Sequence, residues 1–140
     1  MPEDVFGNLE EWGRVLERLA ELERSGLIEK HQDDLVRLLR YPDNWRLREA
    51  ALESVTAIRG PTESLIREAC NIMMDDDLYY QVRILAAEAL VAAMDRLAEG
   101  RQAGAPRLKD EVREQMHALL DSPQAPVFHQ AILRILPKIE

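Results

Sequence analysis

Three stretches of this chain can be laid over one another, and that constrains the fold more than any other feature. They read LLRYPDNWRLREAALESV from Leu38, MMDDDLYYQVRILAAEAL from Met73 and LLDSPQAPVFHQAILRIL from Leu119. The first two superpose at a spacing of 35 residues: Leu38-Leu39 fall on Met73-Met74, Leu47-Arg48 on Val82-Arg83, and Ala51, Leu52 and Val55 on Ala86, Ala87 and Leu90. The third copy comes after a further 45 or 46 residues. Setting Val127-Phe128 on Val82-Arg83 places Ala131, Ile132 and Ile135 at the core positions, needs a small gap ahead of them, and leaves Phe128 or His129 where the arginine stands. A unit this short cannot bury its apolar side alone, so the copies must stack.

Apolar residues recur at helical spacing almost throughout. The pattern predicts a first helix over 8–24, with Trp12, Val15, Leu16, Leu19 and Leu22 inward and Glu10, Glu11, Arg14, Glu17, Arg18 and Glu21 outward. Asn8 and Glu11 have the spacing of a capping box, and Gly26 supplies the stop. A second helix, 29–40, turns Leu35, Leu38 and Leu39 inward and ends ahead of Pro42. Asp43 or Asn44 caps a third, to about 59, and Gly60-Pro61 breaks the chain. Thr62 caps a fourth, to 74. The Asp75-Asp76-Asp77 turn is expected to cap a fifth helix, over 79–99. A loop at 100–106 precedes a sixth helix over 107–120. Pro126 opens a seventh, which Pro137 closes. The expected division of the single domain is a cap helix at 8–25, repeats at 28–60 and 61–99, the loop at 100–106, and a degenerate repeat at 107–140.

Composition agrees with an all-α chain. Hydrophobic residues make up 46% of the 140, enough for one folded core, and the aromatic share of 5% leaves that core to Leu and Ala. The net charge is −8, and arginines alternate with glutamates, as at Glu17-Arg18 and Arg67-Glu68. This is a solvated helix surface and not a basic footprint, so nucleic acid is not the expected partner. Cys70 is the sole cysteine, which excludes an internal disulfide framework and a thiolate metal site. The opening Met1-Pro2-Glu3-Asp4 is unlike a signal peptide and no apolar run is long enough to cross a membrane, so the cytoplasm is the expected location.

The repeated pieces resemble the HEAT repeat family, whose second helix carries an aspartate in the turn before it, then Val-Arg, small residues and Leu. Here these are Asp43 with Leu47-Arg48 and Ala51, and Asp77 with Val82-Arg83, Ala86-Ala87 and Leu90. The resemblance covers about 28–140 and fades in the third copy. It implies a short right-handed α-solenoid of about three helix pairs plus an N-terminal capping helix, about seven helices in all. It also implies a structural ladder in which Arg48 and Arg83 pair with the turn aspartates Asp43 and Asp77.

No Gly-rich phosphate loop, nucleophile elbow, HExxH or framed carboxylate pair occurs, so nothing argues for an enzyme, and no catalytic residue, cofactor or metal is expected. His31, His117 and His129 lack metal-ligand spacing, and Asp75 to Asp77 lack the spacing of a calcium loop. Cys70, among Ile66, Ala69 and Met73, reads as a small buried hydrophobe. Trp45 and Tyr80 occupy equivalent positions three residues before the repeat arginines, with Tyr41 and Tyr79 beside them. They are either staples packing turn on helix or an aromatic ridge fit for a protein interface. The candidate partner-binding residues are Tyr41, Trp45, Arg46, Glu49, Glu53, Tyr79, Tyr80, Gln81 and Glu88, with Thr56, Val91 and Asp95 further along the same helices.

The expected function is a non-catalytic protein-protein interaction module or adaptor, its acidic surface suited to a partner with a basic segment. Two alternatives remain open. One is an accessory lyase- or chaperone-like role on a cofactor-bearing protein, as the family resemblance allows. The other is a structural subunit that self-associates through its end repeats, for which a homodimer through the C-terminal helix is the expected form, because Ile132, Leu133, Ile135, Leu136 and Ile139 make that helix strongly apolar.

Overall fold

The computed structural model describes residues 4–101 and 103–140. Among these there are seven α-helices and no strand: α1 (Trp12–Ser25), α2 (Gln32–Arg40), α3 (Trp45–Val55), α4 (Glu63–Met74), α5 (Tyr80–Gly100), α6 (Ala105–Asp121) and α7 (Pro126–Ile135). Short 3-10 turns, Leu27–His31 and Leu136–Lys138, lead into α2 and out of α7. No helix among the described residues is long and apolar enough to cross a membrane.

The helices form two rows. α1 packs on α3, α3 on α5 and α5 on α7, while behind them α2 packs on α4 and α4 on α6. Sequence neighbours α2–α3, α4–α5 and α6–α7 join the rows. One continuous core runs between them, and small residues set the close approaches: Ala51, Ala69, Ala86, Ala87, Ala89 and Ala93 are all buried. Met73 is fully buried in the place of the leucines it matches, and Met74 is partly buried against the same core.

The chain's polar breaks fall where the sequence puts them. The Asn44 side chain accepts from the backbone N–H groups of Arg46 and Leu47, and Thr62 accepts from Leu65. Both satisfy donors that a helix start leaves without partners. The Gly60-Pro61 break is clamped from behind. The buried Gln32 donates to the carbonyls of Glu29 and Gly60 at 3.2 and 3.0 Å and accepts from the Thr62 N–H at 2.8 Å. The Glu29 carboxylate takes the N–H groups of Arg59 and Gly60.

Several boundaries differ from expectation. α1 begins at Trp12, because Asn8 spends its carboxamide on the Glu10 N–H, in a turn four residues ahead of the helix. That preceding segment is packed, not loose. Phe6 and Leu9 are buried, and Arg37 of α2 holds the segment through the Gly7 carbonyl and the Asp4 carboxylate, at 2.9 and 2.5 Å. α3 stops at Val55, and Ile58 beyond it still reaches the core. The Asp75–Asp77 carboxylates do not cap α5: Asp75 closes its own turn by accepting from the Asp77 N–H.

The C-terminal helix turns inward most of the apolar set from which self-association is expected. Ile132, Ile135, Leu136 and Ile139 are all buried in the chain's own core, since the 3-10 turn after α7 folds Ile139 back, and only Leu133 of that set is exposed. His117 and Glu140 meet at the surface near this end, at 3.1 Å.

The fold therefore hangs on the central helix α5, which touches α3, α4, α6 and α7. Replacing its fully buried Leu90 by Ala is expected to cost about 2–5 kcal/mol in urea unfolding. The same change at Leu133, 59% exposed, is expected to cost well under about 1 kcal/mol.

Candidate functional site

Polar side chains first organise the inside of the molecule. The last carbonyls of a helix have no partner within it. Each of the three helix pairs meets this need in the same way. Arg48 on α3 donates its Nε–H to the Leu39 carbonyl in the last turn of α2, at 2.9 Å. Arg83 on α5 donates Nε–H to the Met73 carbonyl of α4, also at 2.9 Å. His129 on α7 points Nε2 at the carbonyls of Leu119 and Ser122 at the end of α6, at 3.1 and 2.9 Å. Both of its partners are acceptors, so Nε2 carries the hydrogen. His129 thus takes the arginine's place, and the register of the third copy is 46 residues from Arg83 with no gap: Phe128 falls on Val82, Ile132 on Ala86 and Leu119 on Met73.

The expected ladder of arginines and turn aspartates takes a different form. Arg83 is only 1% exposed, and its guanidinium reaches Asp76 at 3.3 Å, not Asp77. It also donates to Gln124 at 3.1 Å and stacks 4.3 Å from the Phe128 ring centre. Gln124 in turn donates to Asp76, at 3.2 Å. The Asp77 N–H is bonded to Asp75 within the turn. Among the described residues Arg48 has no carboxylate within ion-pair distance, Asp43 included, and burial lowers its pKa against the opposing pull of Asp75 and Glu68.

The nine candidate partner-binding residues divide by position. Tyr80 is no part of an exposed ridge. Its ring packs on Phe128, 5.2 Å between centres, and its hydroxyl accepts from the Ala125 N–H at 3.1 Å. A phenol can satisfy its polar end inside, which is why it turns in. Tyr41 is half-buried beside Leu9, Arg40, Pro42 and Asp43, away from Trp45. Tyr79 and Gln81 stand exposed at the start of α5, and Glu88 is paired with Arg134 of α7 at 3.3 Å.

Four of the nine do come together. Trp45, Arg46, Glu49 and Glu53 line a groove between α1 and α3, of about 230 Å³, floored by Leu16 and Ala50. Trp12 of α1 stands beside it, in reach of Arg46. The Arg46 guanidinium lies 5.9 Å from the Trp12 ring centre and 5.4 Å from that of Trp45. These are the chain's two tryptophans, and they stand 43% and 53% exposed. Trp12, read from its spacing as an inward residue, is the member that sequence reasoning missed. It begins its helix, so no preceding turn covers it, and the buried face of α1 is carried by Val15, Leu19 and Leu22 alone.

The remaining titratable groups gather into no centre. His31 contacts Asp34, while His117 and His129 lie elsewhere, and the described residues hold no group of three metal-ligating side chains. Cys70 is buried between α4 and α6 and its thiol is pushed up to about 12, chiefly by burial. Comparison with known proteins returns no match: no protein-family model, curated protein or solved structure is similar to this chain.

Arg83→Leu strips the Met73 carbonyl and Gln124 of a buried partner and is expected to cost roughly 2–4 kcal/mol in urea unfolding. Arg14→Ala, in an exposed pair with Glu11, is expected to cost under about 1 kcal/mol. The Cys70 thiol favours its protonated form in the folded chain, so its contribution to stability is whole below pH 9.0 and falls away as pH rises towards about 12. Unfolding measured from pH 8 to 11 is expected to decline less steeply for Cys70→Ala than for the native chain.

Proposed function

We propose that this chain is a short HEAT-like α-solenoid that serves as a non-catalytic protein-interaction module, taking a segment of its partner into the groove between α1 and α3. The two helix rows, and the side-chain donor that closes the same helix end in each of three pairs, support the repeat reading. One observation carries the functional reading: both tryptophans stand exposed on one groove, flanking a single guanidinium. Trp and Arg dominate binding energy at protein interfaces, and large exposed apolar groups gathered in one place mark such interfaces. The carboxylates of Glu49 and Glu53 supply the polar rim that an interface needs around its apolar centre.

The test is affinity capture from native lysate with the wild-type chain beside a Trp12→Ala/Trp45→Ala variant, with Tyr79→Ala as an exposed aromatic control. Circular dichroism is expected to show all three folded alike. A partner lost only from the double variant supports the groove. A partner that all three retain moves the site elsewhere, and an absence of any partner removes the adaptor reading.

A further inference from the structure

The placing of Arg46 is unusual for an exposed cation on so acidic a surface. Glu49 and Glu53 lie one and two turns further along the same helix face, yet among the described residues Arg46 makes no ion pair with either. Its guanidinium instead lies against two indoles contributed by different helices. A tryptophan face is the best aromatic surface for a cation, and here two rings lie 5.9 and 5.4 Å from the same guanidinium. The groove is therefore built to hold a cation, and Arg46 fills it from within.

Arg46 is also free to leave. It is exposed, in the first turn of α3, and among the described residues its guanidinium forms no hydrogen bond. Once it swings out, the slot presents two electron-rich ring faces, the apolar floor of Leu16 and Ala50, and the carboxylates of Glu49 and Glu53. Among the described residues no other cation lines it. We propose, resting on the interaction reading above, that the groove takes an arginine or lysine side chain from a basic segment of the partner, and that Arg46 is its intramolecular placeholder. Binding exchanges one cation for another between the same indoles, while the freed Arg46 and the partner's flanking charges face Glu49 and Glu53. An acidic segment would meet those two carboxylates across the floor.

The tryptophans make the test local, because both of the chain's indoles lie against Arg46. Trp emission is monitored while titrating a short amphipathic peptide of Arg, Leu and Gly, and a matched peptide with Glu for Arg. The basic peptide is expected to shift the emission, with binding that weakens as salt rises. Arg46→Ala, which empties the slot, is expected to bind it about three- to tenfold tighter. Arg46→Ala/Trp12→Ala, reporting through Trp45, is expected to lose that gain, and Glu49→Gln/Glu53→Gln to bind severalfold more weakly. Arg46 is exposed, so these variants are expected to keep the native circular dichroism. The placeholder idea is overturned if Arg46→Ala binds no tighter, if the Glu peptide is preferred, or if neither peptide moves the emission. Should that happen while the double tryptophan variant still loses a captured partner, the interaction reading stands and only the cation assignment falls.

Discussion

A stack of short helices has an arithmetic problem at its ends. Every helix finishes with carbonyls that nothing in the helix can satisfy, and stacking buries many of those ends beneath the next helix. Here a side chain one helix later claims the carbonyl, and the three donors differ in what else they can do. Arginine offers several N–H groups in a rigid fork, so Arg83 can bond Met73 through Nε and still hold Gln124 and Asp76 with its terminal nitrogens. That second grip is what ties the middle pair to the turn between the two helices of the last one. Histidine has a single donor at Nε2, and His129 uses it on the end of α6.

The same chemistry explains why the repeat is readable from sequence and why its third copy is easily misaligned. Helical periodicity, Pro42, Gly60-Pro61 and the caps Asn44 and Thr62 are local signals, and local signals place the helices well. The choice between Phe128 and His129 is not local. It depends on which ring reaches carbonyls on another helix, and a phenyl ring and an imidazole give the same apolar spacing to the eye. The same holds for Asp76 against Asp77. Both lie in the turn, one residue apart, and it is Asp76 that meets Arg83. Asn8 fails as a cap for a related reason: the segment before α1 is drawn onto α2 by Arg37, and that long-range tie outweighs a four-residue pattern.

The candidate surface is half legible in the sequence. Trp45, Arg46, Glu49 and Glu53 share one face of α3 by spacing alone, and they do line one groove. The equivalence of Trp45 and Tyr80 misleads, because equivalent positions in a repeat share a backbone setting but not a neighbour. Tyr80 has α7 and its turn to pack on, with Phe128 and the Ala125 N–H in reach. Trp45 faces α1, whose Trp12 comes from a helix start and leaves its own ring half open.

The two ends of the stack are accordingly unlike. At the last pair, Ile132, Ile135, Leu136 and Ile139 are folded inward, and Val127 and Leu133 are the large apolar side chains of α7 left exposed. At the first pair the described residues ahead of α1 bury Phe6 and Leu9, while Trp12 and Trp45, the largest side chains of the molecule, stand open. A chain that needed only to be stable would have more to gain from covering two tryptophans than from leaving them in water, since burying an aromatic is worth several times a surface ion pair. Their exposure, around a cation that pairs with neither nearby carboxylate, is explained neither by core packing nor by ion pairing.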